Sequence, residues 1–509
     1  MKRKIALFLA ICMLAITAAA CAGDEAEGAD RPSRSELIIA QPDIIDVLDP
    51  HYSHWLRNMR VVHNIFESLL RQDEQGNLVP GLATSWTLSD CALIYTFILR
   101  EGVYFHNGDP FTSADAVFSF ERAMGSPFAG QAADQIRSVR AIDDFTFEVT
   151  MEFVYTAQPP FFASLFLAIV NQRVLEEQGD DFSINPGLSG TGAYMFSEFH
   201  SGSHVVLVAN ENYWGQVPSI RTVTFKTISE ESAGAIALEA GEIDVYLGLL
   251  PQDADLLEGG DAVVIHRIPS FFCEFISLNV ENEFLSDRRV RKAIALSVCK
   301  DELVMAAVDG AGVPTGSLVS PPMFGWDSTI RPYPRDLDRA RQLLAEAGHE
   351  GGGFSLRILT TAGWRSRIAE VYQAALRDLG ITASVYTLEL AAFNEAGING
   401  TGDIFVMGYT SLAADADPIM NTALSEHNVG LLNFARWVHP EFERLLAASR
   451  GETNEDLRRE MLIEMQQLIY YEVPIVPSYF RMTINGVNPA LRNFTGEAHN
   501  LFFLNKLSW

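Results

Sequence analysis

Few residues in this sequence have the spacing that catalysis or metal binding requires. There is no His-Glu-x-x-His motif, and residues 187–191 fail the Gly-x-Ser-x-Gly pattern of a nucleophilic serine at its last position. The Gly-Thr-Gly at 190–192 is too short for a dinucleotide fingerprint, and the Asp-Ala-Asp at 415–417 lacks the glycine and distal glutamate of a calcium loop. Two histidine pairs that could each share a helical face are His51 with His54 and His200 with His204. Because two ligands do not make a metal site, these patterns favour a binding protein over an enzyme, with no metal and no cofactor.

The hydrophobic pattern predicts the elements that would position binding residues. Apolar residues at every second position predict an antiparallel meander over about 93–150, with a strand at 103–105. Two strand–helix–strand units are predicted at 223–247 and 354–388, because each helix has an apolar face and ends at a glycine. Further amphipathic helices are predicted at 62–69, 337–347 and 457–469. The two separate units predict an α/β protein with two sheets rather than one large sheet.

Composition and charge exclude several classes of protein. The 509 residues include 37 Lys and Arg against 65 Asp and Glu, and a formal charge of −28 excludes nucleic acid as a partner. The hydrophobic fraction of 48% is typical of a globular protein, and the length predicts roughly two to four core-forming units. The three cysteines beyond residue 35 include no Cys-x-x-Cys pair, so neither a disulfide framework nor a zinc cluster is expected.

The N-terminus has the features of an export signal. A basic segment at 2–4 precedes an apolar stretch at 5–16 that is too short to span a bilayer, and small residues then lead to Cys21. This arrangement resembles a bacterial lipoprotein signal, so residues 1–20 are expected to be removed and Cys21 to carry lipid. The alternative is an ordinary secretory signal cleaved at Ala-x-Ala. Residues 21–35 are predicted to be a flexible tether, which would hold an extracytoplasmic protein at the outer face of the cytoplasmic membrane, or in the periplasm if an outer membrane is present.

Several collinear motifs resemble those of a single family. The first three are Gly-Leu-Ala-Thr-Ser-Trp at 81–86, Tyr-Thr-Phe-Ile-Leu-Arg at 95–100, and Phe-His-Asn-Gly-Asp-Pro-Phe-Thr-Ser-Ala-Asp-Ala-Val-Phe-Ser-Phe at 105–120. Further matches follow in the family's order at 190–194, 212–215, 241–244, 287–294 and 471–477. The chain therefore resembles the family 5 solute-binding proteins of ABC importers, the dipeptide- and oligopeptide-binding type. Cys91 and Ala193 depart from the family pattern.

The resemblance implies a periplasmic-binding-protein-like α/β fold with two lobes, hinge strands and an inserted α+β domain. Domain I would comprise 36–80, 195–285 and 485–509, the inserted domain II 81–194, and domain III 286–484. Hinge closure would bury a peptide between the lobes of a monomer, which then delivers the peptide to a membrane permease. Two alternatives stay open. The cargo could be a nickel chelate, an oligosaccharide or an opine, or the protein could sense or chaperone peptides without transport.

The resemblance also suggests a ligand-binding carboxylate in domain III. In peptide-binding relatives, an Asp of this domain pairs with the α-ammonium group of the peptide. Counting back from Asp417, that position is Ala414, and Asp415 lies one residue away. We therefore expect Asp415 and Asp417 to contact the ligand. The alternative is that Asp415 caps a helix and Asp417 braces the loop.

Other candidate ligand contacts lie on both sides of the implied cleft. An Arg-x-Ala-Glu context at 367–370 suggests Arg367, with Arg365 just before it, as the partner of the peptide carboxylate; a solvated Arg is the alternative. Tyr409 is expected on the same wall. On the opposite wall, the loop after Asp49 and Pro50 supplies three candidates: Ser53, His54 and Trp55. For Trp55, the alternative role is a buried aromatic anchor.

Overall fold

The computed structural model describes residues 34–53, 55–73, 77–411, 413–495 and 501–509, apart from the side chain of Gln131. The strands are β1 (Glu36–Gln41), β2 (Leu70–Gln72), β3 (Leu78–Pro80), β4 (Ala83–Leu88), β5 (Ile94–Leu99), β6 (Ile136–Asp143), β7 (Thr146–Met151), β8 (Tyr194–His200), β9 (His204–Ala209), β10 (Thr222–Thr227), β11 (Val245–Leu247), β12 (Val264–Leu278), β13 (Gly312–Pro314), β14 (Ser355–Thr360), β15 (Thr382–Thr387), β16 (Ile404–Thr410) and β17 (Ile475–Val487). The helices are α1 (Leu56–Val62), α2 (Ser113–Met124), α3 (Gly130–Ala133), α4 (Gln172–Gln178), α5 (Glu231–Glu239), α6 (Pro251–Leu257), α7 (Arg288–Ala295), α8 (Lys300–Val308), α9 (Leu337–Glu346), α10 (Trp364–Asp378), α11 (Leu390–Ile398), α12 (Ala416–Leu424), α13 (Pro440–Gly451) and α14 (Glu455–Glu472).

One mixed sheet runs through most of the molecule. Among the described residues it has 11 strands in the order β15-β14-β16-β12-β17-β11-β1-β10-β9-β8, with β13 beside β17. The expectation of two separate α/β sheets is therefore wrong. The reason is the length of β12 and β17, which have 15 and 13 residues. β12 pairs with β16 at one end, and β17 pairs with β11 at the other, so these two strands carry the hydrogen bonding from one half to the other.

Each half of the sheet contains one of the expected strand–helix–strand units. In the half that we call domain I, β10 and β11 flank β1 in parallel, and α5 connects them. In the half that we call domain III, β14 pairs in parallel with β15 and β16, and α10 connects β14 to β15. Domain III has one hydrophobic core on each face of its sheet. The helices expected at 337–347 and 457–469 are present as α9 and α14.

The meander forms a separate antiparallel sheet in the order β4-β5-β7-β6, which we call domain II. Helix α2 covers it, beginning with a capping box between Thr112 and Asp115. Two local expectations are wrong. Residues 103–105 form a single bridge at Tyr104 rather than a strand, and the helix expected at 62–69 ends at Val62. The exact domain boundaries stay a prediction.

The export signal, Cys21 and nearly all of the tether lie outside the described residues. Across the part of the chain that the structure does describe, no helix combines the length and the apolar character needed to cross a membrane. The apolar run around 159–170 instead forms short 3-10 turns whose side chains are largely buried in the cores of domains I and II.

Candidate ligand-binding site

The binding residues expected from the sequence converge on the carboxyl ends of parallel strands. In domain III, β14 ends at Thr360 and β16 at Thr410, and the loops that follow lead into α10 and α12. Because β12 runs antiparallel to β16, Phe272 lies opposite Thr410 at this same edge. In domain I, the corresponding edge follows Gln41 of β1 and Leu247 of β11. Ligands of open α/β sheets bind outside the carboxyl ends of the strands, so the two edges define a candidate cleft.

A charged and aromatic cluster forms the edge of domain III. Glu274 on β12 is fully buried; its Oε1 accepts a hydrogen bond from Nε1 of Trp364 (2.6 Å) and its Oε2 one from Nε of Arg365 (3.1 Å). The guanidinium carbon of Arg481 lies 4.3 Å from the centroid of the Trp364 ring and 5.7 Å from that of the Phe272 ring. Trp364 and Arg365 open helix α10, so the helix start and the two long strands together position this cluster.

Gly408 on β16 lies directly against the cluster and leaves space for it, because glycine has no Cβ atom. A Cβ atom at Gly408 would lie 2.5 Å from the Phe272 ring, 2.7 Å from the carbonyl oxygen of Cys273 and 2.8 Å from Oε2 of Glu274. A side chain at this position would displace the buried carboxylate and the backbone beside it. Glycine is therefore the residue that this contact between strands requires.

The other candidates on this edge already have protein partners. Nε of Arg367, an exposed residue, donates to the carbonyl oxygen of Ala307 (2.8 Å). The hydroxyl of Tyr409 donates to the carbonyl oxygen of Leu432 (2.7 Å), and burial raises the pKa of Tyr409. Arg365 is tied to Glu274, as described above. Ligand contact by these three residues stays a prediction.

Asp415 and Asp417 each face an arginine inside domain III. The carboxylate of Asp415 forms two hydrogen bonds with Arg458, of 2.7 and 2.9 Å, and its Oδ1 also accepts from the backbone N–H of Asp417 at the start of α12. Burial raises the pKa of Asp415, and Arg458 opposes that rise. Asp417 is bound by Arg450 at 2.8 and 3.0 Å.

Asp417 also links two domains. The hydroxyl of Tyr155, in the segment after β7, donates to Oδ1 of Asp417 (3.1 Å), and the backbone N–H of Thr156 donates to the carbonyl oxygen of Arg450 (3.0 Å). The structural roles proposed as alternatives for Asp415 and Asp417, a helix cap and a loop brace, are therefore the ones that the geometry shows. A ligand contact by either carboxylate stays a prediction, and it would require the ligand to compete with the arginine that already binds that carboxylate.

The domain I loop places its candidates differently. The hydroxyl of Ser53 is buried and accepts from Nδ2 of Asn58 (2.9 Å). Trp55 is 53% exposed, so the alternative of a buried anchor is wrong, and the guanidinium of Arg57 lies 4.9 Å from its ring. His54 lies outside the described residues.

His51 is a structural residue of the same loop. Its Nε2 donates to the carbonyl oxygen of Ala168 (2.8 Å), and its Nδ1 accepts from Arg122 (2.8 Å), which also binds Asp49. Burial first, and the positive charge of Arg122 second, lower the pKa of His51 to about 4. The imidazole is therefore neutral at pH 7 and joins domain I to domain II.

Sequence reasoning missed Arg481, Phe272 and Glu274. The available signal was a charged residue inside a long apolar strand, since Glu274 interrupts the buried half of β12 and Arg481 interrupts β17. For metal binding, the described residues contain no group of three or more His, Cys, Asp or Glu side chains that could hold an ion.

Comparison with known proteins agrees with this architecture. The model of the bacterial extracellular solute-binding proteins, family 5, matches residues 77–430, and the chain belongs to this family. The dipeptide-binding protein of Escherichia coli is 28% identical over 78% of this chain and 80% of its own length. Heme-binding protein A of Haemophilus influenzae is 27% identical over 82% of each chain. Among solved structures, HbpA2 from Haemophilus parasuis shares the fold with a TM-score of 0.87 and 23% identity, over 93% of this chain and 99% of that one.

Proposed function

We propose that this protein is the extracytoplasmic receptor of an ABC importer and captures peptides between domains I and III. The observation that carries the proposal is the pair of carboxyl edges, one in each domain, joined through the long strands β12 and β17. Such strands can act as a hinge, because a small change in twist at the crossing point separates or closes the two edges. Capture by closure requires no chemical step, in keeping with a family of solute-binding proteins.

Peptide cargo draws support from the relatives, including the dipeptide-binding protein of Escherichia coli. We also propose that Cys21 carries a lipid, that the receptor is a monomer, and that it delivers its ligand to a membrane permease. An exposed Trp55 on domain I and the Arg481 cluster on domain III supply apolar and charged surfaces suited to a peptide backbone and its ends.

One observation favours a non-peptide solute as a second candidate. The position that carries the ammonium-binding Asp in peptide-binding relatives is Ala414, which is buried in an apolar core. Its acidic neighbours Asp415 and Asp417 are neutralised by Arg458 and Arg450. A solute without an α-ammonium group, such as a nickel chelate, an oligosaccharide or an opine, would not need that contact.

Native mass spectrometry distinguishes the two candidates. The protein from residue 22 onward is purified without refolding, and the mass that remains bound is measured before and after addition of a random tripeptide pool. A ladder of peptide masses is the expected result. A single non-peptide mass that the tripeptide pool cannot displace would contradict peptide cargo and favour the second candidate.

A further inference from the structure

Domain II contacts domain III without sharing a strand with it. Domains I and III are joined through β12 and β17, whereas β4–β7 of domain II form a sheet of their own. The contact is made by the segment that follows β7. There the hydroxyl of Tyr155 donates to Oδ1 of Asp417 (3.1 Å), in the first turn of α12. Because no strand pairing among the described residues joins these two domains, they can separate without breaking a sheet.

Thr156, the next residue, binds the end of a domain III helix. The last four carbonyl groups of an α-helix have no partner within the helix. At the end of α13, the backbone N–H of Thr156 donates to the carbonyl oxygen of Arg450 (3.0 Å), and its hydroxyl donates to that of Ser449 (3.0 Å). Ser449 is fully buried. Domain II therefore supplies two hydrogen bonds that the end of α13 cannot supply itself.

The loop that follows β16 is held by the same contact. Ala413 is buried in the hydrophobic core of domain II, whereas the next residue, Ala414, is buried in a core of domain III. Burial first, and the charge of Asp417 second, raise the pKa of Tyr155, so its hydroxyl stays protonated and donates. Since β16 ends at the edge that borders the candidate cleft, domain II fixes a loop beside this cleft.

Domain II is attached to domain I by other contacts. Arg122 of α2 binds Asp49 of domain I, and His51 of domain I binds the carbonyl oxygen of Ala168 in domain II. A rotation of domain III about β12 and β17 would leave these bonds intact. The same rotation would break the contact between domains II and III, so that contact belongs to the closed arrangement of the molecule.

We propose that Tyr155 and Thr156, together with Asp417, Ser449 and Arg450, form a latch that stabilises the closed form of the receptor from outside the two carboxyl edges. This inference rests on the proposed capture by closure, and it identifies domain II residues that determine how long a ligand is held. A buried ligand leaves only after the domains separate, so the latch slows dissociation. Without ligand, the same contact raises the fraction of molecules in the closed form.

Thr156→Val tests the latch, because valine has the shape of threonine but cannot donate to Ser449. Thr156→Ser keeps this donor and is the matched rescue. The control is Thr84→Val, which removes a comparable bond inside domain II, from the Thr84 hydroxyl to the carbonyl oxygen of Ile98 (3.1 Å).

With the tripeptide pool as the probe, stopped-flow kinetics should show that Thr156→Val releases peptides about tenfold faster than the wild type. Thr156→Ser and Thr84→Val should release them at the wild-type rate. Thr156→Val and Thr84→Val should melt at the same temperature, so that a difference in release cannot come from a loss of overall stability.

Distances between two spin labels test the latch without any ligand. The labels are attached at exposed positions of domains II and III through Ser138→Cys and Ala447→Cys, in a protein that also carries Cys91→Ser and Cys299→Ser. In the ligand-free protein, Thr156→Val should shift the distance distribution to longer values than those of the wild type and of Thr156→Ser.

The outcomes separate the latch from the peptide cargo. Faster release by Thr156→Val together with longer ligand-free distances supports both. If the wild type binds no tripeptide but the distances still lengthen in Thr156→Val, the peptide cargo is contradicted and the latch is supported. The latch is overturned if Thr156→Val keeps the wild-type distances, if it releases bound peptides at the wild-type rate, or if Thr84→Val has the same effects.

Discussion

Arg458→Met would remove the positive charge that faces Asp415 inside domain III. Both side chains are at most 6% exposed, and two hydrogen bonds of 2.7 and 2.9 Å join them. Breaking such a pair leaves an uncompensated buried charge, which costs about 3–5 kcal/mol. Asp415→Asn should have a similar effect, because it strands Arg458 while keeping an oxygen that can cap α12. The double variant removes both charges, so we expect it to recover about 2 kcal/mol or more of the summed loss.

Hydrogen exchange of the α12 amides is the appropriate assay, because it reports the free energy of local opening in a protein of several domains. A loss of about 3 kcal/mol lowers the protection of these amides by about two orders of magnitude. The control is Arg444→Met, which breaks an exposed pair with Glu441 and should cost less than about 1 kcal/mol.

Two results would refute this reasoning. If the single variants each lower stability by less than about 1 kcal/mol and their effects add, the two residues do not act as a buried pair. If the double variant keeps its exchange protection but binds ligand more than tenfold more weakly than the wild type, Asp415 holds the ligand rather than the fold.

Three further predictions concern pH, the contact between domains and backbone packing. The folded protein keeps the pKa of His51 at about 4, while the unfolded chain takes up this proton near pH 6.5. The contribution of the neutral imidazole to the free energy of unfolding is therefore fully present above pH 6.5 and is lost as the pH falls toward 4. Urea denaturation should show a loss of about 2 kcal/mol between pH 7 and pH 5 from this residue, and His51→Gln should remove that part of the slope. Tyr155→Phe removes the hydrogen bond to Asp417 that joins domains II and III. Since hydrogen bonds to charged groups contribute about 1.5–3 kcal/mol, we expect calorimetry to show that the variant binds tripeptides about tenfold more weakly than the wild type. Gly408→Ala would place a methyl group 2.7 Å from the carbonyl oxygen of Cys273, so thermal unfolding should show a loss of about 1–3 kcal/mol.

Matched controls at exposed or open positions are His200→Gln, Tyr104→Phe and Gly451→Ala. Each should resemble the wild type in the corresponding assay. Three results would contradict these predictions: His51→Gln keeps the full pH dependence of stability, Tyr155→Phe binds tripeptides as tightly as the wild type, or Gly408→Ala melts at the same temperature as the control Gly451→Ala.

Local periodicity was sufficient to locate the parallel units of the fold. The apolar face of α10 and the glycine after it mark one unit, because helix period and chain termination are encoded within a few residues. The continuous sheet was not predictable in this way, since it depends on the register between β12 and β17, which lie about 200 residues apart in the chain.

The site shows the same limit. Asp415 was identified as a candidate, but its partner Arg458 is 43 residues further along the chain, so the sequence could not distinguish a ligand contact from a buried pair. A charged residue inside the apolar strand β17 marks Arg481 as unusual, but the sequence could not show its surroundings, because the aromatic rings beside it come from α10 and β12.

Hydrogen exchange with and without bound tripeptides tests the location of the cleft most directly. We expect slower exchange on ligand addition in two segments that belong to different domains, 42–53 in domain I and 361–365 in domain III. Protection confined to one of these domains, or found instead on the β6–β7 hairpin of domain II, would contradict capture between the two carboxyl edges.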